Sequence, residues 1–547
     1  MKFKETMLQK DAQKKQSITI EILTLLLYAG SLILIMYYHE PWFDEAQAWL
    51  IARDASIKEL ITSITHYEGH PPVWFLILMP LAKLGVPFEI GIKSVNFILS
   101  TAAMGIFIFK APFNRIIRCT VPFNYFFFYQ YGVISRPYSL MMLGFVISAL
   151  TYKYRNEKPF YFVVSLSLLS SASAYGMVIA AGISLVWLFE MICIPFSLNK
   201  IKLLFKSNSF YALSLLLFYN ILLLLCIYPY SDTYATNVVP IGSRLFFSFF
   251  IAPVEATIFN LININAINNN LYITVTSILF VNIIIYLILY KTAKIYKKQA
   301  LLILPYLLFI LFGGIIYLFF HHVGVITMFF MFFFWCCFDE TITDEKAINA
   351  RKVNGEHIVG QVIVIIMIGM SIFWSFTASI NEISINYGTG RETAEFIIDN
   401  KLSQKNILLA WVELVNSDTG KKYQVYNYLQ AMPALAYFDD NIFYNLNNNL
   451  DNMCYILHKL DTDGYYTKEL IKNDYPDVLI GNDDPRNTFG NDIEMNDFAI
   501  VKSVPGNKIW KNKSVGYNQL IYMRKDLLKD YPNLSEVNIV EKRAPEE

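Results

Sequence analysis

The chain has 547 residues, of which 55% are hydrophobic and 16% aromatic, and its mean hydropathy is +0.40. That composition excludes an ordinary soluble domain, and a net charge of +1 gives none of the basic surface by which nucleic acid is held. Six cysteines without CxxC spacing supply neither a disulfide framework nor a zinc site.

Lys2, Lys4, Lys10, Lys14 and Lys15 precede an apolar run that starts near Ile18, is about twenty residues long and carries no small-residue cleavage pattern. The run is expected to be a retained helix, with the N-terminus cytoplasmic and Tyr38 onward on the outer face. Basic clusters at Lys110/Arg115/Arg118, Lys153/Arg155/Lys158, Lys200/Lys202/Lys206 and Lys291/Lys294/Lys297/Lys298 keep that parity. Spans are then expected near 18–37, 90–109, 121–135, 138–152, 160–173, 176–194, 210–229, 271–290, 300–320, 323–338 and 358–378, about eleven crossings. Two further apolar stretches, 71–84 and 244–263, fit a crossing badly, the first because it is short and the second because of Glu255. Both are expected to lie in the outer interface.

From about Asn381 the sequence turns polar and Asn-rich. "RETAEFIIDNKL" has helical periodicity, while "NILLAWV", "DVLIG" and "NQLIYMR" read as strands. The expected fold class is therefore a polytopic α-helical membrane protein, with a transmembrane domain over 1–380 and an extracytoplasmic α/β domain over 381–547. Heavy Asn, Ile and Lys usage suggests an AT-rich genome and hence a bacterial plasma membrane.

The outer loop from 38 to 89 is dense in residue types that membrane connections avoid. In "YYHEPWFDEAQAWLIARD" the pair Asp44 and Glu45 follows Pro41 near a helix start, where the helix dipole favours ionised carboxylates able to take a proton from a hydroxyl. "SIKE" has capping-box spacing ahead of an amphipathic helix over 56–65. "HYEGHPPVWF" sets Glu68 and His70 before a double proline, and His70 is a candidate for a phosphate, a sugar or a metal. "YGVISRPYSL" places Arg136 at the outer mouth of two spans, a costly position for a cation but a suitable one for gripping phosphate on a lipid. His321 and His322 in "LFFHHVGV" are a further outer-face candidate. The plain alternatives are a helix cap for the acidic pair, an interfacial hydrogen bond for His70 and a snorkelling side chain for Arg136.

The succession "WFDEAQAWLIARD", "HPPVWFLI" and "ISRPYSLMMLG" resembles the GT-C superfamily of membrane glycosyltransferases, nearest the branch of protein O-mannosyltransferases and the aminoarabinose transferase of lipid A. The likeness covers roughly 18 to 200 at motif level. It implies a polyprenyl-phosphate-linked sugar donor, an acceptor hydroxyl on a glycan, lipid or protein, interfacial helices in the first outer loop, and inversion at the anomeric carbon. It further implies that Asp44 is the general base and that Glu45 orients the acceptor or a metal. His70 with Pro71 and Pro72 would open the next helix, and Arg136 and Tyr138 would lie near the donor phosphate. Trp42, Trp49, Tyr67 and Trp74 would offer stacking surface to the sugar or prenyl chain. Where some relatives carry a lysine beside the proline motif this chain has Val73, and no acidic residue accompanies Arg136. A divalent metal is the one cofactor left open.

Two other classes compete. A transporter is expected to show repeats, broken spans and ionisable residues near the bilayer midplane, whereas this acidic pair lies beyond the first span. A membrane-anchored binding or scaffold protein would keep its business in the C-terminal region.

Overall fold

The structure is a computed structural model that describes residues 2–193, 205–230, 240–257, 271–339, 371–415, 422–426, 428–446, 465–481, 485–510 and 513–537. It is mostly helical, with a small sheet in the C-terminal region. The main helices are α1 (Lys2–Tyr38), α2 (Phe43–Asp54), α3 (Val73–Lys83), α4 (Phe88–Lys110), α5 (Tyr138–Tyr152), α6 (Pro159–Ser170), α7 (Ala174–Cys193), α8 (Asn208–Ile227), α9 (Leu271–Ile295), α10 (Gln299–Ile315), α11 (Gly324–Asp339) and α12 (Gly390–Asp399).

Among the described residues, 6 helices are long and apolar enough to cross a membrane: Ile18–Tyr38, Phe88–Lys110, Ala174–Ile192, Asn208–Ile227, Val275–Ile295 and Phe320–Asp339. Their outward faces are apolar. On α8, Leu215, Leu217, Phe218, Leu224 and Leu225 are all exposed, a continuous surface that suits lipid tails and not water. The expected crossings at 138–152, 160–173 and 300–320 are helices of only 15, 12 and 17 residues. The last expected crossing, 358–378, lies mostly outside the described residues, as does the loop that precedes it.

The segment 121–135 departs most from expectation. It is one short tight turn (Val121–Phe123) followed by a wide helical coil (Phe126–Val133), every residue of which is buried. At the end of the coil the last carbonyls have no N–H further along the helix, and in a water-poor setting those must be satisfied from outside. Asn96 on α4 does so: its Nδ2 donates to the carbonyl of Gly132 at 2.6 Å and reaches those of Tyr131 and Ile134 at 3.4 Å. Pro137 then prevents the coil from running into α5.

The C-terminal sheet has the order β1-β4-β6-β5, with β1 (Ile407–Leu409) parallel to β4 (Val478–Gly481). The other pairs, to β6 (Lys513–Arg524) and β5 (Phe498–Trp510), are antiparallel. β2 (Trp411–Val415) and β3 (Lys422–Tyr426) form a separate antiparallel pair. "NILLAWV" thus contributes to two sheets and not to one strand. The apolar residues of this region do not form a core of their own. Leu408, Leu435, Ile480 and Met523 belong to the same buried cluster as Trp49, Leu50, Trp74 and Phe75 of the 38–89 segment. Arg391, one residue into α12, bonds Glu89 through Nε at 2.7 Å and through Nη2 at 2.6 Å, which pins the start of α4 to the C-terminal region. The 38–89 segment and the C-terminal region are therefore fixed relative to each other across a wide apolar contact.

Candidate functional site

α2 begins at Phe43, so Asp44 and Glu45 occupy its first turn. Consecutive helical residues point about 100° apart, and the pair divides accordingly. Asp44 Oδ2 lies 3.0 Å from Arg136 Nη2, with the carboxylate side chain 33% exposed and the guanidinium 11%. The two motifs, 92 positions apart in the chain (136 − 44), meet in one partly exposed ion pair.

Arg136 is held by its surroundings on one edge only. Its Nε is buried with no hydrogen-bond partner, and its Cζ stands 5.3 Å from the centre of the Tyr138 ring. Tyr138 is fully buried, yet its hydroxyl also has no partner. The ring is stacked on Tyr131 at 4.8 Å, meets His70 edge to face at 6.4 Å and lies 5.9 Å from His322. A glycine makes that stack fit: a Cβ on Gly324, at the start of α11, would sit 2.6 Å from the Tyr131 ring. Gly69, with φ +63°, adopts the left-handed conformation that turns the chain from the helix Thr65–Glu68 into His70 and the double proline. His70 Nδ1 is a third buried polar atom without a partner. Burial first, and the Arg136 charge second, push the His70 imidazole down to about 4 against a hydrogen bond to the Ala172 backbone. The ring is therefore neutral. A guanidinium nitrogen, a phenol and an imidazole nitrogen, each buried and without a partner among the protein atoms, thus lie near one another beside the Asp44–Arg136 pair.

Glu68 joins the site through Gln47, whose Nε2 donates to Glu68 Oε1 at 2.9 Å. Gln47 lies three residues beyond Asp44, on the same face of α2. Burial, and then the Asp44 charge, push the Glu68 carboxyl up to about 8, so it holds its proton at neutral pH. Because the folded value is raised above the ordinary one, Glu68 contributes stability that is fully present below pH 4.5 and lost as pH rises through about 8. A Glu68→Gln chain mimics the protonated form. It is expected to match the parent's melting temperature at pH 5 and to exceed it by about 2–4 °C at pH 9. Thermal unfolding in detergent across that range checks this, and parallel curves would count against a buried, protonated Glu68.

Other expected site residues fall elsewhere. Glu45, expected at the acceptor, faces inward and is fully buried: its Oε2 accepts from the Trp42 backbone N–H at 2.7 Å and lies 3.0 Å from His39 Nε2, while its Oε1 accepts from the Ser135 N–H at 2.5 Å. Burial raises a carboxyl, but the His39 charge and these hydrogen bonds hold Glu45 below the usual range. As to the divalent metal left open, both Glu45 oxygens are already committed, and among the described residues no group of three His, Cys, Asp or Glu side chains has the arrangement of a metal site. Trp49 and Trp74, expected as sugar platforms, are core residues with 2% and 0% exposure, and Trp42 lies edge-on to Tyr387. Tyr67 is buried and lies against Tyr230. His322 borders the site and accepts from the Phe319 N–H through Nδ1 at 3.0 Å, while the His321 ring lies tilted against it with centroids 3.9 Å apart, and the His321 carbonyl accepts from the Tyr131 hydroxyl.

His39, Glu382, Tyr129 and Ser135 were not singled out in the sequence. The one local signal was an ionisable residue directly at each end of an apolar run, His39 after the first and Glu382 after the last. No protein-family model matches this chain, and no curated protein matches it in sequence.

Proposed function

We propose that this protein is a GT-C-type glycosyltransferase of a bacterial plasma membrane, with about eleven crossings and its C-terminal region on the outer face. It moves a sugar from a polyprenyl-phosphate donor to an acceptor hydroxyl. The observation that carries this reading is the Asp44–Arg136 pair at 3.0 Å, bordered by the unpartnered Arg136 Nε, Tyr138 hydroxyl and His70 Nδ1. Asp44 takes the acceptor proton, the acceptor oxygen attacks the anomeric carbon, and the lipid phosphate leaves with the electron pair of the broken bond. Arg136 has only Nη2 engaged by Asp44, so its Nε edge is left to stabilise charge on the departing phosphate. Neutral His70 and protonated Glu68 add hydrogen bonds without adding charge.

The test is to incubate the purified full-length protein with a panel of polyprenyl-monophosphate sugars and follow both protein melting and release of the lipid phosphate. One sugar is expected to raise the melting temperature and to be hydrolysed or transferred. A panel with neither response removes the glycosyl-transfer reading.

A further inference from the structure

Behind the candidate site lies a second polar cluster, fully enclosed. His39, directly after α1, stands between two carboxylates: Nδ1 is 3.0 Å from Glu382 Oε1 and Nε2 is 3.0 Å from Glu45 Oε2, with no exposure on any of the three side chains. Glu382 lies in the helical stretch 371–384, and its Oε1 also accepts from the Tyr129 hydroxyl at 2.7 Å. A carboxylate oxygen on each nitrogen favours the doubly protonated ring, which donates from both and is the cation of a Glu–His–Glu triad. Burial pushes such a ring down, but Glu382 and Glu45 together hold His39 above its ordinary value. Lys93 Nζ and Arg391 Nη2 also come close, but they bond the His39 carbonyl at 2.6 and 3.4 Å and leave the ring to the carboxylates.

The direction of the chain gives this triad a consequence at the site. Glu45 follows Asp44, and Ser135 precedes Arg136, so the Ser135 N–H···Glu45 bond joins the two segments that carry the ion pair. With its cation removed, Glu45 would face Glu382 as one buried anion facing another and would have to take a proton or turn away. Either response weakens its hold on Ser135.

We infer that His39 and Glu382 are positioning residues, which set the Asp44–Arg136 geometry through Glu45 without touching a substrate. The kinetic part of this inference rests on the glycosyl-transfer reading; the structural part does not.

The test uses the full-length protein in lipid nanodiscs with three variants, His39→Gln, Glu382→Gln and Tyr129→Phe. Amide hydrogen exchange is read on peptides covering Ser135 and on peptides within α5. The Ser135 amide is expected to exchange at least tenfold faster in His39→Gln and Glu382→Gln and a few fold faster in Tyr129→Phe, with α5 unchanged. For transfer, kcat is expected to fall 10- to 100-fold in His39→Gln while the donor KM stays within about threefold. Should His39→Gln fail to fold, the other two variants decide. Wild-type exchange at Ser135 in every folded variant overturns the inference. Absence of any transfer by the parent protein sinks the glycosyltransferase reading and leaves the exchange result to judge the triad alone.

Discussion

An Asp44→Asn chain is expected to bind its lipid-phosphate sugar and to transfer it about 10²–10⁴-fold more slowly than the parent, the range general-base removal costs elsewhere. Asparagine keeps the shape of the side chain, and its Oδ1 can still accept from Arg136 Nη2, so the 3.0 Å contact survives as a neutral hydrogen bond. Only the capacity to take a proton is lost. Donor affinity is expected to hold or improve, because Arg136 no longer divides its charge between Asp44 and the incoming phosphate. The division of the effect is diagnostic: kcat falls while the donor Kd does not rise. Full turnover by Asp44→Asn would remove Asp44 from the chemistry. A second readout needs no substrate. Asp44 is the second cause, after burial, of the raised Glu68 carboxyl, so in Asp44→Asn that carboxyl is expected to titrate below about 8. An unchanged value would mean the two acids do not share a field.

Local pattern made much of this arrangement readable in advance. The helical start after Pro41 is observed at Phe43, the periodicity of "RETAEFIIDNKL" corresponds to Gly390–Asp399, and "DVLIG" and "NQLIYMR" lie in β4 and β6. Each of these depends on neighbours within a few residues. Charge parity expects Asp44 and Arg136 on one side of the membrane, an expectation with which their 3.0 Å contact is compatible. Helix geometry separates the directions of Glu45 and Asp44, because adjacent positions point about 100° apart; the side to which Glu45 turns is not foreseeable, because its partners are His39 and Ser135. The wide coil over 126–133 has the apolar content of a span, and hydropathy does not register hydrogen-bond pattern. Trp49 and Trp74 looked like interfacial aromatics because the surface that buries them includes C-terminal residues more than 300 positions away, such as Leu408 and Leu435. The Glu382–His39 contact spans 343 positions, and its local trace is limited to an ionisable residue directly after an apolar run at each position.

Arg136→Lys is expected to lower transfer about 10²–10³-fold although it preserves the charge, the cost of removing one preorganised donor from a developing anion. Lysine offers a compact ammonium where arginine offers a planar fork, and the fork matters here because two groups compete for it. Nη2 is held by Asp44, while Nε is buried without a protein partner and, on the glycosyl-transfer reading, is the donor left for the phosphate. A single ammonium drawn onto Asp44 leaves the phosphate unserved, and one drawn onto the phosphate leaves Asp44 without its counter-charge. Unlike Asp44→Asn, this change is expected to weaken donor binding as well as slow the chemical step, so kcat and Kd both move. Arg136→Gln should be more severe. Combining it with Asp44→Asn should cost less than the two losses multiplied together, since the residues act as one unit. Lysine kinetics equal to the parent's would show that the fork is not used. The pH profile supplies an independent check, because the Arg136 charge is, after burial, what keeps His70 neutral. In Arg136→Gln the His70 imidazole should rise from about 4 toward its ordinary value, and a new protonation step should appear on the acid side of any residual activity. If none appears, Arg136 and His70 do not act on one another, and the phosphate site built from them is wrong.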